Sequence, residues 1–84
     1  MNIKLIAFGS EEYQAELALR NEILRKPIGL DIYSEDLSKE DSDFHIGAFM
    51  DGELVGCLLL TPLGNGEIRM RQVAVRGIRE GKRL

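Results

Sequence analysis

Two runs of strand-type residues meet at one dipeptide, Asp51-Gly52, and that junction constrains the fold of this chain more than any other feature. Upstream, Phe44, Ile46, Ala48 and Met50 alternate with His45, Gly47 and Phe49, the period of a strand with one richly apolar face. Downstream, residues 53–61 contain the unbroken apolar run Leu54-Val55-Gly56-Cys57-Leu58-Leu59-Leu60, the pattern of a central strand covered on both sides. Asp-Gly is suited to a two-residue type I′ turn, in which both central residues take positive φ. The two runs are therefore antiparallel neighbours.

A third strand follows over 67–75, after Pro62 stops pairing and Gly64-Asn65-Gly66 turns the chain. Its apolar residues change parity: Ile68 and Met70 share one phase, Val73 and Val75 the other. Either one residue near Arg71-Gln72 is taken up by a β-bulge or the strand ends there, with Ile68 and Met70 expected to be buried on one side and Val73 and Val75 on the other. A bulge leaves backbone groups unpaired. Such groups on a strand that feeds a turn containing Gly81 and Lys82 suit a ligand carrying amides and phosphates.

Ahead of the hairpin, residues 2–8 alternate with Ile3, Leu5 and Ala7 on one parity and Ile6 and Phe8 on the other, as in a strand covered on both faces. Ser10 is a suitable helix N-cap, Glu11 and Glu12 complement the helix dipole, and the helix is expected to reach about Lys26 before Pro27. Tyr13, Leu17 and Leu24 form one stripe and Leu19 and Ile23 a second. Glu16 to Arg20 and Glu22 to Lys26 read as four-apart pairs on the exposed side. Residues 31–43 read as an acidic linker or short helix, capped by Ser34 and docked by Tyr33 and Leu37. Its carboxylates fit no calcium loop and read as solvated surface, with no metal site assigned. The order strand, helix, short helix or loop, then three strands joined by tight turns gives an α+β fold: an antiparallel sheet of about four strands packed with one or two helices.

The 84 residues make one domain, 1–84, which buries only about 60–65% of its unfolded surface and gains from a partner. The single cysteine, Cys57, lies within the apolar run and reads as a reduced thiol used as a small hydrophobe; pairing with His45 as a nucleophile lacks a third, orienting group. His45 reads as a packed or half-exposed strand residue. No targeting signal or membrane-length apolar stretch is present, so a cytoplasmic location is expected. Residues 69–84 hold six basic groups against Glu80, a balance of +5, while residues 1–68 hold five basic and 13 acidic groups, a balance of −8. The basic end suits an anion, but no aromatic platform accompanies Arg69 and Arg71, and a nucleic-acid partner is not expected.

Taken in order, these segments resemble the GNAT superfamily of acetyl-CoA-dependent N-acyltransferases. Arg69-Met70-Arg71-Gln72-Val73-Ala74-Val75 followed by Glu80-Gly81-Lys82 is similar to the family's central strand and the start of its pyrophosphate loop. Leu19-Arg20, Ile23-Leu24-Arg25, Pro27-Ile28-Gly29-Leu30, Asp43-Phe44-His45 and Asp51-Gly52-Glu53-Leu54-Val55-Gly56 match its first helix, following loop and second and third strands. The resemblance implies a partial fold, the N-terminal half of such a domain, and transfer of an acetyl group from acetyl-CoA to a small amine. It places pantetheine against the backbone of Val73, Ala74 and Val75, and pyrophosphate at Gly81, Lys82 and Arg83. It assigns no catalytic residue: the acid that protonates the leaving thiolate commonly belongs to the family's second half, and Glu67 reads as a solvated strand-end carboxylate.

One departure stands out, because Arg83 falls where the family's loop has its first glycine. The expectation is therefore background turnover by this chain alone. The competing reading is a truncated, non-catalytic relative acting as a self-associating or protein-binding module. Either way strand 67–75 is expected to be an edge that recruits a second copy, most simply as a homodimer, with Arg69 and Arg71 near acidic groups of that copy.

Overall fold

The computed structural model describes residues 1–76. Four strands, β1 (Asn2–Ile6), β2 (Phe44–Met50), β3 (Glu53–Pro62) and β4 (Ile68–Val75), form one antiparallel sheet in the order β1-β2-β3-β4. Helix α1 (Glu11–Leu24) and three short 3₁₀ turns, Lys26–Ile28, Ile32–Ser34 and Ser38–Ser42, connect β1 to β2. The fold is thus the expected α+β arrangement of four strands with one helix.

Local chemistry sets the boundaries. The Ser10 hydroxyl accepts from the Tyr13 amide at 3.2 Å, satisfying one of the donors that a helix start leaves free. At the other end the helix stops at Leu24, two residues before the expected Lys26: Arg25 is its C-cap, and its amide donates to the Asn21 carbonyl. Pro27 then lies inside a 3₁₀ turn that closes on Gly29 at φ 77°, a left-handed conformation that costs glycine little. Asp51 and Gly52 have φ of 52° and 82°, as the type I′ hairpin requires.

Two bulges shape the sheet. In β3, Ala48 pairs with Gly56 and Phe49 with Leu54, leaving Val55 as the extra residue. In β4, Arg71 pairs with Leu59 and Ala74 with Cys57, so three steps along β4 match two along β3, and Gln72 takes φ 54°. The interruption falls where the parity changes, but its effect on burial is the reverse of the expectation. Met70 lies opposite Leu60, while Val73 and Val75 share a groove with Leu58, the same side of β3. The bulge keeps Ile68, Met70, Val73 and Val75 on one face, the face away from α1, where they are 60%, 60%, 49% and 52% exposed. Of this strand's apolar residues only Ala74 reaches the core, opposite Cys57.

The core lies between α1 and one face of the sheet. Ile6, Phe49, Leu54, Cys57 and Ala74 pack with Tyr13, Leu17, Leu19 and Ile32, and Ile23, Leu24 and Leu37 close the margin. Each fully buried aliphatic side chain contributes about 1.5–3 kcal/mol. Burial on both faces does not hold for β1 or β3: Ile3 and Leu5 are exposed and Leu58 and Leu60 half-buried, because helix packs on one side only among the described residues. Docking of the 31–43 segment is also corrected. Ile32 is completely buried and its amide donates to Asn21 Oδ1 at 2.9 Å, whereas Tyr33 is exposed. Among the described residues no helix is long and apolar enough to cross a membrane.

Candidate functional site

Helix geometry explains why the chain buries charge. Tyr13, Leu17 and Leu24 define a stripe that runs through position 20, and Glu16 lies beside it, so both partners of the pair expected on the exposed side face the sheet. Glu16 and Arg20 are completely buried, and His45 on β2 and Glu40 in the Ser38–Ser42 turn join them beneath the helix. Arg20 Nη1 donates to Glu16 Oε2 at 2.8 Å and to Glu40 Oε1 at 2.9 Å, while Nη2 donates to Glu40 Oε2 at 2.6 Å. This bidentate pairing on Glu40 uses the planar fork that makes arginine, rather than lysine, suited to a buried carboxylate. Tyr13 Oη donates to Glu40 Oε1 at 2.9 Å, and the two ring nitrogens of His45 face the Glu16 carboxylate and the Glu40 carbonyl oxygen.

Opposing forces act on each charge. Burial disfavours the Arg20 cation, but the hydrogen bonds and field of Glu40, then Glu16, outweigh it and raise the pKa. Burial raises the Glu40 carboxyl; the Arg20 hydrogen bonds and charge outweigh it, and the net direction is down. For Tyr13 burial and the hydrogen bond to Glu40 act together and push the phenol up. Glu16, Glu40 and His45 carry the donor types of a metal site, and their ligand atoms lie within 4.8 Å of one another. Arg20 already occupies both carboxylates, so the chemistry of the cluster is that of an ion-pair network.

From this network a line of contacts leads to the β4 bulge. Gln72 Oε1 accepts from Arg25 Nη2 at 3.0 Å and from Arg20 Nη2 at 3.5 Å, tying the left-handed residue to the helix end. Arg25 also forks onto Glu35, donating from Nε at 2.5 Å and Nη2 at 3.1 Å, and holds that carboxyl below its ordinary value. Between these groups lies a polar cleft of about 410 Å³ lined by Arg25, Glu35, Leu37, Asp43, Arg71 and Gln72, among others. Arg71 Nη1 reaches Thr61 Oγ1 at 3.4 Å and Asp43 at 3.8 Å within its own chain.

The residues expected to bind a cofactor are only partly brought together. Val73, Ala74 and Val75 sit just past the bulge on β4, which pairs with β3 alone among the described residues. Gly81, Lys82 and Arg83 lie outside the described residues. Glu67 is exposed at the turn before β4, where its amide donates to Asn65 Oδ1 at 3.2 Å. Cys57 is buried and its thiol is pushed up to about 12, chiefly by desolvation; both nitrogens of His45 are engaged elsewhere. The acidic segment is not all solvated surface, because Glu40 is buried and anchors Arg20.

The sequence pattern sets Glu16 and Arg20 on the exposed side and Glu40 among solvated carboxylates, and marks Gln72 only as the place of the bulge; their burial and shared hydrogen bonds are not read from it. For Arg20 a signal existed, since position 20 completes the Tyr13, Leu17, Leu24 stripe. Comparison of the chain with models of known protein families and with curated proteins finds no match.

Proposed function

We propose that this chain is the acetyl-CoA-binding part of a GNAT-type N-acetyltransferase domain, with a small amine as the acyl acceptor. The observation that carries the reading is the β4 bulge, where Gln72 at φ 54° interrupts the ladder and Val73–Val75 follow on a strand unpaired on its far side among the described residues. Backbone N–H and C=O groups on that edge suit the amides of pantetheine, which pair with it as an added strand. The polar cleft on the helix side of the bulge, with Glu35 and Asp43 at its wall, suits an amine. Acetyl transfer further requires donors for the thioester oxygen and the departing thiolate, and no described residue is assigned to that role. The reduced Cys57 supports a cytoplasmic setting.

Calorimetric titration with acetyl-CoA tests this directly. Saturable heat is expected below about 1 mM, a binding free energy of about −4 kcal/mol or better. Absence of heat at that concentration removes the reading. Turnover with a panel of amines is expected to stay at background, because Arg83 replaces the glycine at which the family's loop backbone approaches pyrophosphate.

The second reading, a self-associating module, is favoured by the outer sheet face. Ile3, Leu5, Phe44, Met50, Ile68, Met70, Val73 and Val75 are all 49–65% exposed there and continuous with half-buried Ile46, Leu58 and Leu60. Monomers rarely leave such a patch open, and an apolar edge strand pairs readily with its own kind. A two-fold dimer with β4 at the interface is the expected state. Sedimentation at micromolar concentration should give twice the mass of one chain, and a compact monomer would exclude it.

A further inference from the structure

The hydrogen-bond pattern around His45 demands more protons than a neutral imidazole can hold. Nδ1 lies 2.9 Å and 3.1 Å from the two Glu16 carboxylate oxygens, and Nε2 lies 2.8 Å from the backbone carbonyl oxygen of Glu40. A carbonyl oxygen and a carboxylate only accept, whereas neutral imidazole has one N–H. Two donors are needed. The charge balance leads to the same state: Glu16 and Glu40 against Arg20 leave one negative charge at the centre of the fold, which a cation at His45 cancels. His45 is 2% exposed, Glu16 0% and Glu40 8%, so water reaches the cluster too poorly to do this instead.

We propose that His45 is a buried imidazolium that locks α1 and the Ser38–Ser42 turn onto β2, making the domain a pH-sensitive clamp that loosens on the alkaline side. Every neighbouring ionisable group is consistent with it. From α1, Glu16 and Arg20 meet the ring or its partner carboxylate, and Tyr13 stacks edge-on at 5.3 Å between centroids. From the turn comes Glu40; the Cys57 thiol of β3, which feels the charges of Glu16 and Arg20, stays neutral at about 12. Burial alone would lower the pKa of His45; the Glu16 hydrogen bond and the Glu40 carbonyl, then the charges of both, outweigh it and raise it above 6.5. A histidine raised in the folded state stabilises fully below its unfolded value and loses that contribution as pH rises through its folded value. The loss reaches the cleft, because Arg20 links the network to Gln72 at the bulge.

The chain has one histidine, so ¹⁵N spectra of the uniformly labelled protein report it without ambiguity. At pH 7 both ring nitrogens should appear protonated, and on alkaline titration their deprotonation should coincide with a fall in thermal midpoint. Glu16→Gln, which keeps an acceptor but removes the charge, should lower the titration midpoint of His45. His45→Gln should flatten the alkaline fall in stability, and if either variant fails to fold the wild-type spectra still decide. One bare ring nitrogen at pH 7, or a thermal midpoint that holds constant or rises while His45 deprotonates, would overturn the proposal.

Discussion

Replacing Arg20 with alanine should destabilise the domain by about 3–5 kcal/mol at 25 °C. The substitution strips Glu16 and Glu40 of their shared cation in a site from which water is excluded, and removing one partner of a buried ion pair costs about 3–5 kcal/mol. A chain of 84 residues has about 4–13 kcal/mol in total at 0.05–0.15 kcal/mol per residue, so the loss takes between about a quarter and all of it. Urea denaturation followed by circular dichroism measures the effect. A loss under about 1 kcal/mol would mean that water or a shifted side chain compensates the carboxylates. The ledger changes if the whole set goes: apolar residues of matched volume at 16, 20, 40 and 45 should leave stability near the wild-type value or above it, since the desolvation cost disappears with the charges.

Ile32→Ala should cost about 2–5 kcal/mol, the range for removing a fully buried aliphatic side chain from a packed site. Ile32 is the one residue of its 3₁₀ turn that enters the core, and the turn lies on the path from α1 to Glu40. Its amide stays bonded to Asn21 Oδ1 in the variant, so the loss isolates packing from hydrogen bonding. Thermal and urea midpoints should both fall. A loss below about 1 kcal/mol would show that Leu37 and Leu24, at the rim, close over the space.

The sheet was legible because each of its strands is specified locally. Asp51-Gly52 has the φ values its composition implies, whereas the alternation from Phe44 to Met50 did not say which phase faces the core: the less apolar one, His45, Gly47 and Phe49, is buried, and Phe44 and Met50 are exposed. The parity change at Arg71-Gln72 located the bulge, yet burial there was read backwards. A bulge restores the face that parity appears to switch, so two phases of apolar residues become one surface. Ser10 as cap and the stripes of α1 were equally local. The buried network was not, because Glu16 and Arg20 have the spacing of an ordinary surface pair and differ from one only through Glu40 and His45, more than 19 residues away. Those partners arrive by folding, and no pairwise spacing announces them. Ile32 rather than Tyr33 enters the core for a similar reason: the 3₁₀ turn sets which of two adjacent apolar residues points inward.

Cys57 gives the domain an internal clock. Its sulfur sits at the meeting of β3, β4 and α1, only 6% exposed, with the thiol held near 12 against about 8.5 for a free one. Alkylation requires thiolate, so at neutral pH a modifying reagent acts almost solely on molecules whose helix has parted from the sheet. The chain has no second cysteine to confuse the count. The decay of one sulfur signal therefore records how often the core breathes, in the native buffer and without denaturant, and it ranks every substitution discussed above by the frequency of those openings.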